Sequence, residues 1–269
     1  MAVSPKLFAQ MSELIAGRMT AGHYDVRLAE NEAEVAAAQH LRYEVLFKES
    51  GGTVTQEMLN AEREEDEWDN IAFHVVVVDT AKNDEVVGTI RLVSKSALQT
   101  GQEFYTEHAF NIDALMQRYP KALELSRACV SATGRGGAIL MLLWKFTMQF
   151  IEHNGYDILF GCASFKGQKY EDHAEILSYL YHKHLADADL MPTPKQQVNA
   201  IAIANFLMAE SALSSQAKVP TLLKGYLKIG ARITDHIVID PVFNTTFVVI
   251  YVVASEMFES GHSLVKHSI

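Results

Sequence analysis

One segment, which has the pattern of a buried strand but carries two charges, constrains this chain most. Residues 123–130 are mainly apolar, yet they include Glu124 and Arg127. Burying an unpaired charge is costly, so buried charges are usually paired or functional. A glycine-rich turn at residues 133–137 follows and leads into an apolar helix that begins near Ala138. Since a strand, such a turn and a helix N-terminus form an anion site, the segment predicts a cleft for a phosphate-bearing ligand.

The composition is that of an ordinary globular protein and argues against several functional classes. The 269 residues are 49% hydrophobic and 21% charged, with a net charge of −10. Because nucleic-acid binding needs a basic surface, this acidic balance argues against it. Two cysteines cannot build a disulfide framework, which favours a reducing, cytoplasmic setting. We expect no secretory signal, no transmembrane segment and no metal site.

The order of the predicted elements indicates a mixed α/β fold. We expect a leader helix in residues 1–22 and one domain in residues 23–269, with a helical insertion at about 185–217. The simplest arrangement is a central sheet covered by helices on both faces. Hydrophobic periodicity places the main elements as follows: strand 24–29, helix 32–46, strands 72–79, 85–93 and 122–130, helix 138–154, strand 156–163, helix 170–184, a helical part of the insertion around 196–209, helix 221–229, and strands 232–240 and 245–254.

Motifs along the whole chain occur in the order typical of one group of acyltransferases. The strand, turn and long helix resemble the GNAT acyltransferase fold, in which the turn binds a pantetheine-carrying donor. LRYEVLF at 41–47, DEWD at 66–69, GTIRL at 88–92 and ELSR at 124–127 resemble acyl-homoserine-lactone synthases and long-chain N-acyl amino acid synthases. The later motifs are similar to those of ornithine lipid synthases: LFGCASFKG at 159–167, LSYL at 177–180, LLKGYL at 222–227 and FNTT at 243–246.

The resemblance implies a GNAT-like fold with a mostly antiparallel sheet and an enzyme that acylates an amino acid. Ornithine lipid synthases are L-ornithine Nα-acyltransferases that use 3-hydroxyacyl chains on acyl carrier protein. We therefore expect acyl carrier protein as partner, with its acyl-phosphopantetheine as donor substrate and no permanently bound cofactor. The expected product is lyso-ornithine lipid.

The charged strand supplies the candidate catalytic residues. N-acyl transfer needs a neutral amine, a polarised thioester and a path for one proton. We expect Glu124 to act as general base through a water, with Ser126 on the same strand face to position it. Arg127 then projects from the opposite face and pairs with Asp66 or Asp69. A purely structural ion-pair network, which organises residues 49–70, is the alternative.

Substrate and donor contacts are expected from three further groups of residues. A zwitterionic amino acid suits a site with both arginines and carboxylates, although an acidic run is usually a solvated surface. The basic helix between Lys218 and Arg232 is a candidate surface for acyl carrier protein. The expected acceptor residues are Arg42, Asp66, Asp69, Arg91, Asp240, Asn244 and Thr245. The expected phosphate ligands are Arg135 and the backbone N–H groups of Gly136, Gly137 and Ala138.

Two other functions fit the same sequence. One is an N-acyl amino acid synthase that uses glycine, glutamine or lysine. The other is a non-catalytic, haemolysin-like, membrane-associated protein. Residues 6–18 of the leader combine apolar and cationic side chains at helical spacing, so we expect peripheral contact with the inner membrane or packing on the protein's own core.

Overall fold

The computed structural model of the chain describes residues 18–135, 137–213 and 219–259. Its α-helices are α1 (Glu32–Arg42), α2 (Gln56–Ala61), α3 (Asp113–Arg118), α4 (Ala138–Asn154), α5 (Ala174–His184), α6 (Thr221–Lys228) and α7 (Ala254–Glu259). Its strands are β1 (Met19–Ala21), β2 (Tyr24–Leu28), β3 (Phe73–Asp79), β4 (Glu85–Ser94), β5 (Phe110–Asn111), β6 (Ala122–Val130), β7 (Ile158–Lys166), β8 (Thr193–Pro194), β9 (Ala200–Ala202), β10 (Arg232–Ile233), β11 (His236–Asp240) and β12 (Thr245–Val253).

The described chain forms two compact units, and β6 carries the backbone from the second into the first. The strands are mostly antiparallel and helices accompany them, which agrees with the predicted mixed α/β class. The described part of the first unit consists of residues 18–99, 125–135 and 137–156, and that of the second of residues 100–124, 157–213 and 219–259.

In the first unit, β1, β2, β3, β4 and β6 lie side by side in that order. Helix α1 packs against the sheet face that carries Val76 and Val78. On the opposite face, Ile139 and Leu143 of α4 approach Gly88 of β4. Because helices cover both faces, β3 and β4 are nearly continuous runs of buried residues rather than alternating ones.

In the second unit, β7 pairs with β12, β12 with β11, and β11 with β9. The turn before β12 is joined to the end of β7. The N–H of Gly167 donates to the carbonyl of Asn244 at 2.8 Å, and the hydroxyl of Thr246 donates to the carbonyl of Gly167 at 3.0 Å. The two predicted family motifs at 159–167 and 243–246 are therefore in direct contact.

The structure corrects three of the predicted elements. The helix expected at 196–209 contains β9 and a 3-10 helix, Ile203–Asn205, because β9 satisfies its backbone groups by pairing with β11. Helix α1 ends at Arg42 and continues as a π-helix, Tyr43–Glu49. The segment 49–70, to which the sequence assigned neither helix nor strand, includes α2 and a 3-10 helix, Glu67–Asn70.

The predicted leader helix falls mainly on residues outside the described part of the chain. Residues 1–17, with most of the proposed membrane-contacting face, belong there. At the expected end of that helix the structure has β1 instead, which pairs with β2. In the described ranges, no helix combines the length and the apolar character needed to cross a bilayer.

Two glycines make room for one side chain at the start of α4, and this arrangement is testable. A Cβ on Gly88 would lie 2.6 Å from Ile139 Cγ2, whereas a Cβ on Gly134 would collide with Ile139 Cδ1. Gly88→Ala and Gly134→Ala should each destabilise the fold by about 1–3 kcal/mol, because a tightly packed core resists added volume. Ile139→Val removes Cδ1 but keeps Cγ2. It should therefore relieve Gly134→Ala and leave Gly88→Ala unrelieved. Urea unfolding of the single variants and of each glycine variant combined with Ile139→Val measures the free energy of unfolding. If Ile139→Val restored the stability of both glycine variants equally, the packing described would be contradicted.

Candidate active site

Six charged side chains of the first unit form a buried network, the ionic cluster. Three arginines meet three carboxylates, so the formal charges cancel. The side chain of Asp66 is 18% exposed, whereas the others are between 0% and 7% exposed, which makes Asp66 the most accessible member. The members of the ionic cluster are Arg42, Glu64, Asp66, Asp69, Arg91 and Arg127.

Asp69 is the centre of the ionic cluster. Its Oδ1 accepts hydrogen bonds from Arg42 Nη1 at 2.8 Å and from Arg91 Nη1 at 3.0 Å. Its Oδ2 accepts from Arg42 Nη2 at 2.7 Å and from Gln39 Nε2 at 3.1 Å. Burial alone would raise the pKa of Asp69, but Arg42 and Arg91 hold that pKa well below its usual value. Asp69 is therefore charged and fully engaged.

Asp66 and Asp69 owe their spacing to a capping box around the 3-10 helix Glu67–Asn70. The carboxylate of Asp66 accepts from the N–H of Trp68 at 3.1 Å, and that of Asp69 accepts from the N–H of Asp66 at 3.2 Å. Asp66 also contacts Arg91 and accepts from Arg127 Nη2 at 2.8 Å. The acidic run is thus ordered by both helix capping and ion pairing instead of forming a solvated surface.

Arg127 joins the ionic cluster through an unusual backbone. Its Nε donates to Glu64 Oε1 at 2.9 Å, and the predicted pairing with Asp66 is present. The neighbouring Ser126 accepts from Arg91 Nε at 3.0 Å, so adjacent residues contact the same network. Arg127 has a left-handed φ of 54°, which departs from the regular strand geometry on which its predicted direction rested.

Sequence reasoning missed one member of the ionic cluster, Glu64, and two residues that contact it, Gln39 and His74. Glu64 bridges Arg42 and Arg127, and the charges of Arg127 and Arg42 overcome the effect of burial to lower its pKa. Gln39 lies about one helical turn before Arg42, a spacing that places both on one face of α1. His74 lies opposite Arg91 in the β3–β4 register. Pairing the two predicted strands residue by residue was the sequence signal for this contact.

His74 is a buried, neutral histidine. Because a carbonyl only accepts, its Nε2 carries the proton and donates to the Asp69 carbonyl at 3.1 Å. Burial, together with the charges of Arg42 and Arg91, lowers the pKa of His74 to about 4, against the opposing effect of Asp69. The ring therefore supports the Asp69 peptide without adding charge to the ionic cluster.

The predicted base Glu124 lies in the second unit and is 1% exposed. Its carboxylate accepts from the backbone N–H of Tyr105 at 3.2 Å and of Thr106 at 2.7 Å. These bonds anchor the first turn of the 3-10 helix Tyr105–His108. Because the N–H groups of Tyr105 and Thr106 depend on these oxygens, a structural role for Glu124 accompanies any catalytic one.

The predicted acceptor residues of the second unit organise the β11–β12 turn. Asp240 Oδ1 accepts from the N–H of Val242 at 2.8 Å and of Phe243 at 3.1 Å. Asn244 has a left-handed φ of 51°, and Thr245 begins β12. Among the described residues no hydrogen-bond partner meets the buried hydroxyl of Thr245.

The turn predicted to bind the donor lies directly before α4. Gly137 has a φ of 87° and precedes Ala138, the first residue of the helix. Arg135 is half exposed and forms an ion pair with Glu49 at the end of the π-helix. Gly136 lies outside the described residues. Nowhere in the described ranges do three or more His, Cys, Asp or Glu side chains form a group suited to a metal ion.

Comparison with known proteins places the chain in a family. Residues 41–145 match the acetyltransferase (GNAT) domain. An L-ornithine N(alpha)-acyltransferase of Agrobacterium fabrum (strain C58) is 33% identical over 259 residues, which cover 93% of this chain and 86% of that protein. One from Brucella abortus (strain 2308) is 35% identical over 256 residues, which cover 91% of this chain and 89% of that protein.

The chain belongs to the L-ornithine N(alpha)-acyltransferase family. The predicted family, GNAT fold class and acyltransferase activity are thereby confirmed. Among solved structures, FeeM, an N-acyl amino acid synthase from uncultured soil microbes, aligns with 88% of this chain and 95% of its own at 10% identity, with a TM-score of 0.43.

The lowered pKa of the buried His74 predicts how the stability of this acyltransferase depends on pH. Its ordinary pKa is 6.5 and its folded pKa is about 4, so between these values only the unfolded chain binds the proton. Stability should therefore fall by about 3 kcal/mol as pH falls from 6.5 to 4. His74→Gln keeps an N–H donor but does not titrate, so it should reduce this slope. Urea unfolding between pH 7 and pH 4.5 measures it, with the exposed His153→Gln as control. Equal slopes for wild type and His74→Gln would contradict the assignment.

Proposed function

We propose that this acyltransferase moves a 3-hydroxyacyl chain from acyl carrier protein to the α-amine of L-ornithine, giving lyso-ornithine lipid. The observation that carries the proposal is the similarity to L-ornithine N(alpha)-acyltransferases over about nine-tenths of the chain. Because the product is amphiphilic, the proposal includes a cytoplasmic enzyme with peripheral contact to the inner membrane.

The acceptor proposal depends on how the ionic cluster distributes its charges. Each of its arginines already contacts carboxylates, so a substrate carboxylate would have to displace a buried partner. Asp66, with its partly exposed edge, is therefore the member proposed to contact the side-chain ammonium of ornithine. Arg42, Asp69 and Arg91 are proposed to hold the carboxylate of Asp66 in place. Asp240, Asn244 and Thr245 are the residues of the second unit proposed to contact the acceptor.

The donor proposal concerns the turn before α4 and the surface of α6. Arg135 and the N–H groups of Gly137 and Ala138, together with Gly136, are proposed to bind the phosphate of the phosphopantetheine arm. On α6, Leu223 and Tyr226 are buried, while Lys224 and Lys228 are exposed one turn apart. Such a cationic surface suits the acidic carrier protein.

The amine is proposed to attack the thioester directly. Cys129 is buried, which raises the pKa of its thiol to about 12 and leaves it unsuited as a nucleophile. In a direct attack, the amine nitrogen forms the new amide bond, the thiolate leaves as pantetheine thiol, and one proton passes from nitrogen to sulfur. Glu124 is proposed to carry that proton through a water that Ser126 positions, and Arg127, predicted from the sequence as catalytic, is proposed to act next to them on β6.

Product mass from purified protein tests the proposed reaction. The protein is incubated with 3-hydroxyacyl-acyl carrier protein, or the matching coenzyme A thioester, and with ornithine, glycine, glutamine or lysine in parallel. We expect ornithine and the carrier-protein donor to give the fastest reaction, with fragmentation that locates the acyl group on the α-nitrogen. Faster acylation of another amino acid favours the alternative acceptor. Absence of any product with every acceptor and donor contradicts catalysis by this chain.

Replacement of Glu124 separates a catalytic role from a structural one. Glu124→Gln should lower kcat by about 100-fold or more, because a general base contributes at least that much. Its melting temperature should fall only modestly, because the amide oxygen still accepts from Thr106 while the N–H of Tyr105 loses its acceptor. The matched control is Glu107→Gln, which alters another carboxylate that caps the same helix at Phe104, 2.9 Å away. If Glu124→Gln retains kcat within about threefold, Glu124 is not the base.

A further inference from the structure

We infer that the ionic cluster holds Arg127 in its left-handed backbone conformation, and that this conformation shapes the accessible part of β6 for acyl transfer. Arg127 is then a positioning residue, acting through its backbone rather than by contact with substrate. The inference rests on the proposed acyl transfer and assigns a role in it to Arg127.

The backbone of Arg127 is exceptional among the described residues. A left-handed φ is disfavoured for side chains other than glycine and, less strongly, asparagine and aspartate. The other described non-glycine residues with positive φ lie at a helix end or in hairpin turns, where such geometry is common: Glu62, Asn83, Asp84 and Asn244. Arg127, with a φ of 54°, lies inside β6. Such an outlier persists only where its surroundings impose it.

The surroundings that impose this conformation are carboxylates on both sides of one guanidinium. Nε of Arg127 bonds Glu64, and Nη2 bonds Asp66. Both carboxylates are themselves held, Glu64 by Arg42 and Asp66 by Arg91 and its own capping bond to Trp68. A regular strand would direct Arg127 away from these anchors, because successive side chains point to opposite faces. The left-handed residue turns it back toward them.

The affected stretch of β6 is the accessible part of that strand. Residues 122–125 are buried, whereas Ser126, Arg127 and Ala128 are half-buried. A left-handed residue turns the neighbouring peptide groups out of the regular ladder, as in a β-bulge. From Arg127 to Val130, where β6 ends ahead of the proposed donor turn, the strand spans roughly 10 Å. A donor held at that turn would therefore react close to this stretch.

A comparison of glycine with alanine at position 127 tests the inference. Within an ordinary strand, glycine is worse than alanine because it costs more conformational entropy. At a position that must be left-handed the order reverses, since only glycine adopts this φ without steric cost. Both substitutions remove the same guanidinium, so their difference isolates the backbone. Each is combined with Glu64→Gln, which restores the charge balance that loss of Arg127 disturbs.

We expect Arg127→Gly with Glu64→Gln to have a kcat at least about fivefold above that of Arg127→Ala with Glu64→Gln, given the cost of the left-handed conformation for a residue with a Cβ. The KM for ornithine should be the same in both. Equal kcat values, or a higher kcat for alanine, would overturn the inference. Ala128→Gly, one residue along the strand, is the control and should show no gain over wild type.

Glu64→Gln alone provides a second measurement if the double variants do not fold. It keeps Arg127 but weakens one of its two anchors, and Glu64 is too deeply buried to meet substrate. Its kcat should fall at least about threefold. An unchanged kcat would contradict the inference.

Acylation of ornithine by the wild-type protein is measured first. An inactive wild type refutes the proposed function. An active wild type whose glycine and alanine variants have equal kcat refutes only the role of Arg127.

Discussion

The charge balance of the ionic cluster is the constraint on which the first unit depends. Three guanidinium groups and three carboxylates are removed from water together, and each compensates the desolvation of the others. The elements that supply them are distant in sequence: α1, the segment around the 3-10 helix Glu67–Asn70, β4 and β6. Their side chains satisfy one another only when all four are in place. The ionic cluster therefore couples a helix, a loop and two strands into one arrangement.

The same balance explains why the loop between α1 and β3 is ordered although it is polar. A four-residue 3-10 helix has little stability of its own. Here Asp66, which precedes the helix, and Asp69, its third residue, both cap the helix and accept hydrogen bonds from arginines of the sheet. His74 adds a neutral bond to the carbonyl of Asp69, so the peptide as well as the carboxylate is fixed. Order in this loop comes from tertiary ion pairing rather than from an apolar face.

The sequence predicted those parts whose pattern is set locally. The bounds of β6 and α4 match the predictions because glycine-rich turns mark their limits and both are strongly apolar. The helix expected at 196–209 was wrong because pairing of β9 with β11 is a contact between distant segments. Motif order identified five members of the ionic cluster, but Glu64 has no local signal beyond its acidic run. The left-handed backbone of Arg127 is a single dihedral angle, which no periodicity reveals.

The neutrality of the ionic cluster also bears on how such an enzyme can diversify. A single replacement that removes one charge leaves its buried partner uncompensated, which is far more damaging than the loss of an exposed pair. Lineages are therefore expected to change these positions in complementary pairs, or not at all, while exposed ion pairs such as Lys183 with Glu210 drift separately. New acceptor preferences would then arise mainly at the margins of the network, where Asp66 reaches solvent, and the buried centre would be inherited as a block.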